Sequence, residues 1–159
     1  MRFWTNDECE RWLAALGRSR PSRTTEPSVP FPKTASRGLY SAHWIAQNVG
    51  YRGPVLLWVT ESDVWNSNWH LYYRLRQSYH DYRLINEAPG HYFLDYESDD
   101  LATFIQLVML NGWDAYLLTK MDYINAFFSH DGFTDVFSSD KELVAEFCKN
   151  AGDAPRAAE

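Results

Sequence analysis

Cysteine is scarce in this chain: Cys9 and Cys148, one near each end, are the only two in 159 residues. Neither belongs to a closely spaced pair, which excludes a disulfide scaffold and a cysteine-based zinc centre. Each falls on the apolar stripe of a predicted helix, so reduced, buried thiols are expected. Long apolar runs are missing as well. No continuous aliphatic and aromatic stretch is longer than that of Val55 to Val59, which is far shorter than the roughly 20 residues a membrane-spanning helix needs. Met1 to Trp12 carries Asp7, Glu8 and Glu10 where an export signal would be apolar. These absences predict a soluble, cytoplasmic protein with no membrane partner.

Motifs that carry chemistry on their own are absent too. Gly50-Tyr51-Arg52-Gly53 precedes a strand and lacks the Gly-Lys-Ser/Thr ending of a nucleotide loop, so it reads as a turn. There is no Gly-x-Ser-x-Gly elbow. Ser129-His130-Asp131 has the residue types of nucleophilic hydrolysis, but consecutive side chains diverge, whereas a triad converges from separated segments. Asp95, Glu97, Asp99 and Asp100 begin like a calcium loop. Asp100 then stands where that loop needs Gly, and Gln106 where it needs a bidentate Glu, so helix-start charges explain the group better. The histidines at 43, 70, 80, 91 and 130 show no two-ligand spacing. The reading assigns no catalytic residue, no metal ligand and no cofactor.

Basic residues are thin in the second half. Residues 1–83 hold 11 Lys and Arg against 7 Asp and Glu, while residues 84–159 hold 4 against 14, so the halves carry +4 and −10. A negative field repels phosphate backbones and attracts basic proteins, which argues against a nucleic-acid ligand. What the chain has in excess is aromatic residues: 9 Phe, 7 Trp and 10 Tyr, 16% of the total. Tyr and Trp at a surface offer rigid contact area at low entropic cost, so some of them are expected to anchor an interface. Tyr72, Tyr73, Tyr79 and Tyr82, near Arg74, Arg76 and Arg83, form the predicted contact strip.

Periodicity organises the rest. Cys9, Trp12, Leu13 and Leu16 mark a first helix, with a Thr5/Glu8 capping box at its start and Gly17 at its end. Residues 18–37, rich in Pro and Arg, read as a long loop. A second helix is expected over Leu39 to Val49. Val55 to Thr60 is continuously apolar until its last residue, as in a strand covered on both faces. A helix capped by Ser67 should run from about Asn68 to Tyr82, then a strand over His91 to Tyr96. Ser98 should cap a well-buried helix reaching Leu110. Trp113 to Thr119 is a further strand. Asn125 to Ser129 and Phe133 to Ser138 suit a hairpin turning at Asp131-Gly132. A Ser139/Glu142 capping box opens a terminal helix that points Leu143, Val144 and Phe147 inward. The prediction is one α/β or α+β domain over 1–152, with a mixed sheet of four to five strands flanked by helices, and a frayed tail at 153–159.

In open sheets of this kind, ligands gather beyond the carboxyl ends of strands. The candidate site is therefore Glu61, Asp63, Trp65, Trp69 and His70 after the central strand, joined by Asp95 and Glu97 if the next strand runs parallel, and by Tyr72 and Tyr73 of the strip. The expected function is a non-enzymatic protein-binding module, of inhibitor or immunity type, for a basic partner. The alternative is a small hydrolase or transferase using these strand-end carboxylates, with or without magnesium.

Overall fold

The run Val55-Leu56-Leu57-Trp58-Val59 has no polar face to turn to water, and it occupies the interior of the sheet with all five residues buried. A computed structural model describes residues 1–22, 28–50, 53–62, 69–121 and 123–151. In chain order its elements are β1 (Arg2–Trp4), α1 (Asn6–Ala15), β2 (Ser28–Pro30), α2 (Ala35–Gly50), β3 (Val55–Glu61) and α3 (Trp69–Ser78). They continue as β4 (Gly90–Phe93), α4 (Ser98–Asn111), β5 (Asp114–Thr119), β6 (Asn125–Ser129), β7 (Phe133–Phe137) and α5 (Lys141–Ala151). The strands form one sheet in the order β1-β4-β3-β5-β6-β7-β2. Every neighbouring pair is antiparallel.

The class is α+β, and two expectations need correcting. The sheet is antiparallel rather than mixed, and it has seven strands rather than four to five. The two extra strands, β1 and β2, have three residues each, too few to show an alternating pattern. They form because long-range partners are available: β1 on β4, and β2 on β7. Pro30 closes β2 at the sheet edge, where a residue without an N–H is tolerated. Local chemistry was a better guide at α1, where Thr5 and Glu8 make the capping box in both directions. It was a poorer one at α5, where the Asp140 carboxylate, not Ser139, accepts from the Glu142 and Leu143 amides. Ser98 is the first residue of α4, which has no side-chain cap at its N-cap, Glu97. Ser67, the predicted cap of α3, and the 153–159 tail lie outside the described residues, as do Tyr51 and Arg52 of the Gly50 to Gly53 turn.

The two faces of the sheet are covered unequally. One carries the larger core, in which residues of α2, α3, α4 and α5 pack on Val55, Leu57, Val59, Ala115, Leu117, Ala126 and Phe128. The other carries a smaller core, where Cys9 and Leu13 of α1 cover Leu56, Trp58, Tyr116, Leu118 and Phe127. The thiols therefore lie on opposite sides of the sheet, both free, with Cys9 fully enclosed and its thiol pushed up to about 12 by burial. At Gly90 the packing of α1 is closest, since a Cβ there would lie 2.3 Å from Cys9 Sγ and 3.1 Å from Trp4 Cβ. No helix among the described residues is long and apolar enough to cross a membrane.

Candidate functional site

The site grows from an irregularity in β3. From Val55 to Val59 this strand pairs residue for residue with β5, as in Trp58 opposite Tyr116 and Val59 opposite Ala115. The register then shifts, so that Glu61 faces Asp114. Without that bulge Glu61 would oppose Trp113 and point to the helix-rich face with Val59. With it, Glu61 joins Asp114 on the thinly covered face that also presents Trp58 and Tyr116.

The β6–β7 hairpin adds the third group. Gly132, at φ +85°, supplies the left-handed turn expected of Asp131-Gly132. The turn places His130 against β5, where Asp114 Oδ1 accepts from the His130 amide at 2.7 Å and contacts its Nδ1 at 2.9 Å. The other ring nitrogen, Nε2, lies 3.5 Å from Asp131 Oδ1. Ser129 is fully buried, and its hydroxyl accepts from the Asp131 amide, so it acts as a turn residue beside His130. Glu61, Asp114 and His130 thus come from the adjacent ends of three strands. One ligand-type atom of each lies within 4.8 Å of those of the other two.

Glu61 also lines a cavity of about 500 Å³ on the same face, together with Glu10, Arg20, Asn6, Trp58 and Asn86. Its aromatic wall is held in place from α1, because the Trp58 indole N–H donates to Asn6 Oδ1 at 2.9 Å. Arg20 reaches over this wall, its guanidinium carbon 5.1 Å from the Trp58 ring centre and 5.8 Å from that of Tyr116. Among the described residues, Glu10 and Glu61 thus share the cavity lining with Arg20, while Asp114 and Asp131 flank the His130 ring beside Glu61.

Of the residues singled out from sequence, Glu61 is in this site, and Asp63 and Trp65 lie outside the described residues. His70 is exposed on α3. Asp95 and Glu97 do not join it: β4 runs antiparallel to β3, with Phe93 opposite Val55, which carries them to the far end of the sheet. There the Glu97 carboxylate accepts from the Leu94 amide and the terminal ammonium of Met1.

The contact strip also needs correction. Tyr72 is completely buried, and Trp69 and Tyr73 are half-buried, Trp69 stacking on Trp113 at 5.2 Å. Arg76 is completely buried as well. It donates to Asp81 Oδ1 at 2.9 Å and to the Tyr72 hydroxyl at 2.7 Å, and that hydroxyl lies 3.0 Å from His91 Nε2. His91 Nδ1 faces the Leu57 carbonyl at 3.2 Å. A carbonyl can only accept, so Nδ1 carries the proton and Nε2 accepts from Tyr72. Burial, followed by the charge of Arg76, holds the imidazole down at about 3, neutral at ordinary pH. Helical periodicity reads this aromatic and Arg face equally well as surface or core; the structure buries Tyr72 and Arg76 and half-buries Tyr73 and Tyr79, while Tyr82, 73% exposed, and Arg74 and Arg83 stay at the surface.

Asp114, Glu10 and Arg20 were not among the candidate site residues, and His130 was weighed within Ser129-His130-Asp131 and set aside because consecutive side chains diverge. Asp114 and His130 meet only through strand register, which no local pattern encodes. Glu10 and Arg20 carried a usable signal, a carboxylate on the solvent side of α1 and a basic residue in an unusually long loop. Comparison with protein-family models, with curated proteins and with solved structures gives no match for this chain.

Proposed function

We propose that the chain is a non-enzymatic protein-binding module, of inhibitor or immunity type, that receives a cationic side chain of a basic partner in the cavity beside Glu61. The observation that carries this reading is the seat of Arg20. A guanidinium already lies over Trp58 and Tyr116 at the rim of a cavity lined by Glu10 and Glu61, which is the chemistry a partner's Arg or Lys would use. Among the described lining residues two carboxylates, Glu10 and Glu61, face one cation, Arg20, a balance that favours positive groups over phosphates. The anchor thus moves from an exposed tyrosine strip to an acidic cavity. The hydrolase or transferase alternative gains nothing from Asp95, which stands at the other end of the sheet from Glu61.

The test is affinity capture on the full chain from its native host at low and high salt, with wild type beside a Glu10→Gln/Glu61→Gln double variant. A basic protein retained by wild type at low salt, and lost with the double variant, supports the reading. An acidic partner, a nucleic acid, or capture indifferent to the double variant contradicts it.

A further inference from the structure

We propose that Glu61, Asp114 and His130 form a binding site for one divalent transition-metal ion of the Mn²⁺ or Zn²⁺ type. The inference does not rest on the partner reading, because the ion is bound by the chain alone.

Geometry is the first argument. Each residue offers a ligand atom within 4.8 Å of the other two. Protein ligands bound at about 2.0–2.2 Å can stand up to about 4.4 Å apart across an ion. The difference is a few tenths of an ångström, and Glu61, an exposed side chain at a strand end, is free to swing through it. Asp114 and His130 are the preformed part: the strand register and the two contacts to Asp114 Oδ1 fix them relative to each other.

Charge is the second, independent argument. The bulge sets Glu61 and Asp114 directly opposite each other on neighbouring strands, an arrangement of like charges that costs stability. Asp114 is buried, at 7% exposure, and among the described residues no Lys or Arg forms an ion pair with either carboxylate. A divalent cation between them removes that repulsion. One imidazole with two carboxylates is a mixed donor set, softer than the all-oxygen shells that suit Mg²⁺ and Ca²⁺ and without the thiolates that suit Cu(I). Glu61 serves both the cavity and this site, so ion and incoming cationic side chain compete for it.

The experiment is isothermal titration of the untagged, chelator-stripped full chain with MnCl₂, ZnCl₂ and MgCl₂ in turn. The expected result is one Mn²⁺ or Zn²⁺ per chain, bound more tightly than Mg²⁺, with affinity reduced at least about tenfold in Glu61→Gln and in His130→Gln. Paramagnetic broadening by Mn²⁺ gives a readout on the wild-type chain that needs no variant, and it should centre on the amides of Asp114 and His130. No saturable binding, unchanged affinity in both variants, or broadening centred elsewhere overturns the assignment. Ion binding lost with partner capture intact refutes this site alone, and the converse refutes the partner reading alone.

Discussion

His91, in β4, and His130, in the turn just after β6, sit in opposite kinds of polar surroundings. His91 is sealed beneath the helices, at the end of a relay from Asp81 through Arg76 and Tyr72 to the Leu57 carbonyl. Within that relay one buried cation meets one carboxylate, and Asp81 also pairs with Arg83. Burial works against the Asp81 anion, but hydrogen bonds from Arg83 and Arg76 hold its carboxyl below the usual range. Of the two buried polar atoms without a partner among the described residues, the one in this relay, Arg76 Nη2, belongs to a guanidinium stacked 4.3 Å from the Phe3 ring centre; the other is the Trp113 indole nitrogen. His130, by contrast, stands at a strand end on the thinly covered face, with three carboxylates around it and, among the described residues, no Lys or Arg in an ion pair with them. Polar groups matched by the protein itself hold the fold together. An unmatched set of like charges next to a cavity leaves binding energy for something else.

The largest effect expected is at Arg76. Arg76→Met keeps the bulk but strips donors from Tyr72, Asp81 and the Ala88 carbonyl. Breaking a buried charge network in this way costs about 3–5 kcal/mol, read as a drop in urea unfolding free energy. A loss below about 1 kcal/mol would mean the relay is not a stability element.

Next comes acid sensitivity. The unfolded chain takes up a proton at His91 near pH 6.5, and the folded chain only near 3. The unfolded state therefore binds more protons between those values, and stability, fully present above about 6.5, falls as pH drops toward 3. At about 1.4 kcal/mol per unit the loss amounts to several kcal/mol. Urea midpoints across this range should fall less steeply in His91→Phe than in wild type. Parallel slopes would assign the acid sensitivity to other groups.

A purely steric comparison follows one residue before His91. Gly90→Ala forces a methyl group onto Cys9 Sγ, for an expected cost of about 1–3 kcal/mol. Pairing it with Cys9→Ala should recover part of that loss, a coupling that a double-mutant cycle measures directly. The smallest effect on stability belongs to the His130 group. Glu61→Gln removes one of two opposed carboxylates at an exposed position, so unfolding free energy should stay within about 0.5 kcal/mol of wild type or rise. A clear loss would place Glu61 with the structural relay.

What was legible in the sequence was local. The capping box at Thr5 and Glu8, the apolar run of β3 and the left-handed Gly132 of the hairpin are each specified by residues within a few positions of one another. Glu61 was reachable through the rule that ligands collect at strand ends. The end of α3 was less visible: the helix stops at Ser78 and His80 turns to φ +60°, inside an aromatic pattern that continues to Tyr82. The strand order, the bulge after Val59 and the meeting of Asp114 with His130 depend on pairing between distant segments. The same topology dissolves the charge asymmetry, because β3 from the basic half lies between β4 and β5 of the acidic half. Net charge by half is then not charge by face.

The most direct test follows the Trp58 indole N–H by NMR while an arginine-rich peptide is added to the full chain at low salt. The account predicts a saturable shift of that signal and of the Glu61 amide, absent with a Glu-rich peptide and lost in the Glu10→Gln/Glu61→Gln double variant. An unmoved indole signal, or an equal shift in the double variant, would contradict the acidic cavity as a seat for cationic side chains.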